Sequence, residues 1–235
     1  MKMKKLILAT ACSLLIVALG TINVQASIVN VGDTISFSSP SYRTGNGGEF
    51  EVNRISPNAQ SNLFRTFCVE LTETIGFGTH YKVGGISTAT VLSGKSLTTA
   101  TAALYVGFRS NTGTILGQSY SYAGGTQQGI DGRALQLAIW HTMGWAAGNL
   151  WGTILDNEYN SNSKAQALVA AASVFNFGGG ADSFGNVRIM NVVGADGTGN
   201  FQDQLTLVPE PGSFLIWSLV GMGLVFVVGS GRRRS

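Results

Sequence analysis

Two uncharged apolar runs, one near each end, decide what the rest of this 235-residue chain can be. The first, Leu6 to Gly20, follows Lys2, Lys4 and Lys5 and precedes Val24-Gln25-Ala26, residues of the size a signal peptidase reads. It is short for a bilayer span, which takes roughly 20 apolar residues. The pattern therefore predicts a secretory signal peptide cleaved after Ala26, in preference to an uncleaved N-terminal anchor. The second run, Gly212 to Gly231, is followed at once by Arg232, Arg233 and Arg234. As a helix rising about 1.5 Å per residue it reaches roughly 30 Å, the thickness of a hydrocarbon core. The positive-inside bias keeps the arginines cytoplasmic and sends everything upstream across the membrane. A buried core helix would explain neither the arginines nor the Val208-Pro209-Glu210-Pro211 break before it. The expectation is an exported precursor: signal peptide 1–26, extracytoplasmic domain 27–207, and a terminal segment 208–235 with a transmembrane helix over 212–231.

The overall formal charge of +3 belongs to these ends. They hold six of the 15 basic residues, while all 12 acidic residues lie between Ser27 and Pro211, which leaves that segment net acidic. A nucleic-acid partner needs a basic patch on the working domain, and none is present. Of the two cysteines, Cys12 leaves with the signal peptide. Cys68 then has no partner for an internal disulfide, and a lone cysteine in an oxidising compartment calls for a reason.

The central segment is long enough for one domain or two tightly packed lobes. Ser27 to Phe37 reads as two short strands about a Gly32-Asp33 turn, Gly45 to Gly48 as a loop, and Glu49 to Ile55 as a strand. Leu63 to Leu71 is the clearest strand, with Phe67 and Val69 on one face and Phe64, Thr66, Cys68 and Glu70 on the other. Helices are expected over Leu97–Arg109, from an Asp131 cap to about Met143, and over Lys164–Phe175 behind Ser161 or Ser163. Strands return over Val187–Val193 and Phe201–Val208, with Gly194 to Asn200 as the turn between them. The order implies an α+β protein, a β-sandwich-like lobe with a helical insert.

Pro-Glu-Pro at 209–211, one apolar span and an arginine-rich end resemble the PEP-CTERM sorting signal. The resemblance implies processing near Pro209, Glu210 and Pro211 by a membrane protease of the exosortase type, after signal peptidase has acted. It implies delivery to the cell surface or medium of a bacterium that makes extracellular polysaccharide.

Two internal segments, Phe67-Cys68-Val69-Glu70 and Ala134-Leu135-Gln136-Leu137-Ala138-Ile139-Trp140, together resemble the thioester domains of bacterial surface adhesins. There an aromatic-Cys-aliphatic strand meets a Gln-x-Ala-aliphatic-Trp helix. The resemblance implies that the Cys68 sulfur joins the Gln136 side-chain carbonyl, that ammonia leaves, and that a partner amine later opens the bond. Phe67 and Trp140 would shield it, Glu70 and His141 would carry protons, and backbone N–H groups near the first turn of the second helix would stabilise the oxyanion. Such a protein bonds once and is no turnover enzyme. The residues read alone are also compatible with Cys68 as a small buried hydrophobe and Gln136 as a surface side chain. The alternative function is a non-catalytic structural or glycan-associated matrix protein.

No cofactor or metal is expected. His80, His141 and one mature cysteine are too few for a closed zinc site. Asp131-Gly132 and Asp196-Gly197 lack calcium-loop spacing, and no nucleophile elbow is present.

Overall fold

The computed structural model describes residues 29–145, 150–178 and 184–208. The signal peptide, the Pro209–Pro211 motif and the terminal arginines lie outside the described residues. Among the described residues no helix is long and apolar enough to cross a membrane.

The chain is α+β. Four strands come first: β1 (Thr34–Ser38), β2 (Phe50–Ser56), β3 (Gln60–Thr66) and β4 (His80–Ser87). Helix α1 (Thr99–Arg109), a short hairpin of β5 (Thr114–Ile115) and β6 (Gln118–Ser119), and helices α2 (Gly125–Thr142), α3 (Leu150–Ser161) and α4 (Ser163–Ser173) follow. Strands β7 (Val187–Gly194) and β8 (Asn200–Leu207) return to the sheet. The helices are thus inserted between β4 and β7, which are hydrogen-bonded neighbours.

The sheet order is β3-β2-β1-β4-β7-β8, with every pair antiparallel. Its two edges then meet. Beyond β3, the Val69 N–H donates to Asp203 O (3.0 Å), the Leu205 N–H donates to Phe67 O (3.1 Å), and Cys68 bridges Gln204. These bonds cover the outer edge of β8 over residues 203–205.

Burial follows from the insert. On β7 both Ile189 and Met190 are fully buried, and helix α1 packs against the strand. Cys68 and its neighbours Phe67 and Val69 are likewise all inaccessible, so the predicted two-faced strand is covered on both sides. Phe67 meets Phe108 of α1 edge-on, with centroids 4.9 Å apart.

Several boundaries differ from the sequence expectation. Among the described residues Val29 to Phe37 hold one strand, not two. Helix α2 starts at Gly125, six residues before Asp131, and Asp131 is a buried side chain inside it, not its cap. The Asp131 carboxylate instead accepts from the Ser121 N–H (2.8 Å) and Gln127 Nε2 (2.8 Å) and pairs with Lys164 of α4. The cap of α4 is Asn162, whose side chain accepts from the Ala165 N–H, rather than Ser161 or Ser163. Such a cap is worth about 1 kcal/mol.

Candidate functional site

The site starts where a ladder of strand hydrogen bonds runs out. Between β2 and β3 the register pairs Val52 with Phe64, Glu51 with Arg65 and Phe50 with Thr66, so extending it by two more pairs would set Gly48 opposite Cys68. That pair does not form. Gly47 and Gly48 take φ of +71° and +105°, which turns the chain out of the strand and opens a gap.

The Gln136 carboxamide fills the gap. Its Oε1 accepts from the Gly48 N–H (3.1 Å) and the Cys68 N–H (3.2 Å), and its Nε2 donates to Cys68 O (2.8 Å). A side-chain amide thus takes the place of a peptide group in the ladder. The Cys68 thiol reaches the same oxygen, with Sγ 3.2 Å from Oε1. Cys68 and Gln136 are both fully buried.

One face of α2 makes this possible. Gly129, Gly132, Gln136 and Trp140 recur at helical spacing beneath the segment 40–49. A Cβ on Gly129 would lie 2.0 Å from Tyr42 O, so only glycine lets the segment touch the helix there. The Thr44 hydroxyl fastens the contact by donating to Gly129 O (3.0 Å). Farther along, a Cβ on Gly47 would lie 2.5 Å from the Trp140 ring and 2.9 Å from Gln136 Cγ.

Charged groups hold the same segment from both sides. Arg43 Nη1 donates to Gly45 O (3.1 Å) and Gly47 O (2.8 Å). Arg133, paired with Glu158 of α3, donates to Asn46 O. Glu49, beside Gly48, is buried and accepts from the Tyr42 hydroxyl (3.0 Å), the Tyr120 hydroxyl (3.1 Å), Arg65 Nη1 (2.9 Å) and Gln128 Nε2. The Gln128 Oε1 accepts from the Gly124 N–H at the start of α2, so strand and helix share one network.

Burial pushes the Cys68 thiol well above its usual range, offset in part by backbone hydrogen bonding and by the nearby Arg133, Trp140 and Arg43. The sulfur is therefore held as a neutral thiol facing an amide oxygen. The backbone N–H groups that reach the Gln136 carboxamide oxygen are those of Gly48 and Cys68, not ones in the first turn of α2 where the sequence reading put them.

No family model, curated protein or solved structure matches this chain.

The remaining expected site residues are placed elsewhere. The Glu70 carboxylate accepts from the Ser93 N–H (3.2 Å) and hydroxyl (3.1 Å) and from the Asp203 N–H (3.3 Å). His141 is exposed and stacks on Tyr159, with centroids 4.1 Å apart. Neither is hydrogen-bonded to Cys68 or Gln136. Phe67 packs on Phe108, whereas Trp140 lies against both Gly47 and the Gln136 side of the site. The segment Arg43 to Glu49 is what sequence reasoning missed. Its chemistry is backbone N–H, and the only signal was a density of glycines.

Beside the site, Asp203 makes a pH prediction. Burial raises its carboxyl to about 6 from 3.8, although Val91, Asn191 and Val192 donate to it. A folded-state value above the unfolded one gives stability that is complete below about pH 4 and lost as pH rises through about 6. At about 1.36 kcal/mol per pH unit the loss approaches roughly 3 kcal/mol. Urea midpoints of the wild type should fall from pH 4.5 to 7, and Asp203→Asn should lack that slope. A wild-type midpoint that rises over this window contradicts the assignment.

Proposed function

We propose that Cys68 and Gln136 condense into an internal thioester and that the protein uses it once, to acylate an amine on a surface or matrix partner. The observation that carries this reading is a thiol 3.2 Å from a carboxamide oxygen that also accepts two backbone N–H groups, in a site closed to water.

Bond formation balances without an outside reagent. The Cys68 sulfur attacks the Gln136 carbonyl carbon, and charge on Oε1 is taken up by the Gly48 and Cys68 N–H groups. The thiol proton passes to the amide nitrogen, the C–N bond breaks, and ammonia leaves. Because the thiol begins in contact with the amide, no free thiolate need form in the apolar site. Fixed proximity of this kind is worth effective concentrations of roughly 10⁵–10⁸ M.

The same reading takes the architecture as a β-sandwich-like lobe with a helical insert of the thioester-domain kind. It takes the delivery route from the ends: signal peptidase removes residues 1–26, and an exosortase-type protease acts at the Pro209–Pro211 motif. The protein then works at the cell surface or beyond it.

Intact mass of the exported, processed protein tests the reading. The wild type should be about 17 Da lighter than its sequence, the mass of one ammonia, and methylamine should add about 31 Da to the light form. Cys68→Ala should show neither change. A wild type at full sequence mass, with a titratable thiol and no methylamine adduct, sinks the proposal and favours the purely structural matrix protein.

A further inference from the structure

The geometry points to the Trp140 indole N–H as the donor that takes up charge on the Cys68 sulfur when a partner amine opens the Cys68–Gln136 bond; this rests on the thioester reading.

Trp140 lies one turn beyond Gln136 on α2 and is buried. A Cβ on Gly47 would lie 2.5 Å from Trp140 Cη2, 2.9 Å from its Cζ2 and 2.9 Å from Gln136 Cγ. In an indole Cζ2 stands next but one to Nε1. The side of the ring that carries the N–H is therefore the side turned to Gly47 and the Gln136 side chain. The Arg133 guanidinium lies over the ring, 5.5 Å from its centroid, and is itself fixed by Asn46 O and Glu158. A cation on the ring face holds the indole in that orientation.

The N–H is not spent on the fold. Trp140 Nε1 is buried with no acceptor in bonding geometry, whereas the nearby Trp145 donates its own Nε1–H to Val69 O (2.7 Å). An enclosed donor without a partner is costly to keep. Its neighbour is the Cys68 sulfur, and the indole eases ionisation of a thiol that burial otherwise suppresses. The backbone donors of the site are committed to Gln136 Oε1, the Cys68 N–H at 3.2 Å and the Gly48 N–H at 3.1 Å. The thiol proton is directed at the same oxygen, with Sγ 3.2 Å away. A neutral sulfur is a weak acceptor, so the indole gains little before the reaction. A thiolate is a strong one.

Opening the thioester creates that acceptor. The neutral amine attacks the acyl carbon, and the C–S bond breaks with its electron pair leaving on sulfur. In an apolar enclosure a bare thiolate is poorly solvated. The indole keeps its proton and donates a hydrogen bond to the departing sulfur. The surplus proton of the attacking nitrogen then moves to that sulfur, which leaves an amide and the Cys68 thiol.

The test places two tryptophan analogues at position 140 of the full exported protein by site-specific incorporation. β-(3-Benzothienyl)alanine keeps the size and shape of the ring but has sulfur where the indole has N–H. 5-Fluorotryptophan keeps the N–H. Methylamine uptake by the light form of each protein is followed by intact mass. The benzothienyl variant should react about tenfold or more slowly than the wild type, as loss of a hydrogen bond to a charged group implies. The fluoro variant should match or exceed the wild-type rate. Equal or faster uptake by the benzothienyl variant, as expected of a residue that only shields the bond, overturns the assignment. An equal slowing of both analogues overturns it as well, because packing alone would then account for the effect. A wild type without the mass deficit overturns the thioester itself, and this role with it.

Discussion

Gly129→Ala should destabilise the protein by about 3 kcal/mol and sharply lower the fraction that carries the Cys68–Gln136 bond. Two opposed effects compete at this position. Alanine is the better helix former, by about 1 kcal/mol relative to glycine. Its Cβ, however, would lie 2.0 Å from Tyr42 O and 3.1 Å from Thr44 Cγ2. The first of these atoms is backbone and cannot rotate away, so the segment 40–49 must lift off the helix. Lifting also stretches the Thr44 bond to Gly129 O and draws the Gly48 N–H from Gln136 Oε1. Urea denaturation measures the first effect and intact mass the second. A variant that gains stability, as helix propensity alone predicts, would falsify the described contact between segment and helix.

Glu49→Ala is expected to cost still more, about 3–5 kcal/mol, as removal of one partner from a buried ionic cluster does. The carboxylate is 1% exposed and is shared by Tyr42, Tyr120, Arg65 and Gln128. Its loss leaves two hydroxyls and an amide without an acceptor in an enclosed space. Burial first, and the nearby Glu49 charge second, hold the Tyr42 and Tyr120 hydroxyls well above their usual range. Ultraviolet titration of the tyrosines should therefore move toward lower pH in Glu49→Ala, alongside a lower denaturation midpoint. An unchanged midpoint and titration would show that the cluster contributes nothing.

The elements legible in the sequence are those whose burial follows one simple period. Phe50–Ser56 and Asn200–Leu207 were expected as strands to within a residue or two, and so was the helix ending at Arg109. Strand β4 was missed because Gly84-Gly85 interrupts any alternation. Those glycines are there for packing: a Cβ on Gly84 would meet Val193 at 2.7 Å. The first six residues of α2 were missed for a related reason. Gly125 and Gly129 weaken the helical signal where the segment 40–49 must come close.

The candidate pair itself was legible from two short motifs separated by 68 positions, and the structure brings Cys68 and Gln136 into hydrogen-bond contact. The proton carriers fared differently. Glu70 was expected on a strand running to Leu71, but the strand ends at Thr66, and nothing in the sequence indicates that Ser93 and the Asp203 backbone engage the Glu70 carboxylate. His141 lies five residues beyond Gln136, about 140° further round an ideal helix, and so emerges on the opposite side.

Closure of the sheet has a mechanical consequence. Strand β8 is bonded on one edge to β7 and on the other to the segment around Cys68, and Leu207 is followed directly by the C-terminal part of the chain. Interstrand bonds run perpendicular to the strands, so tension along β8 strains both rows in shear instead of peeling them singly. A molecule tethered beyond Leu207 and gripped at α2 would carry its load across that doubly fastened strand, and stretching with optical tweezers should find high resistance along this axis.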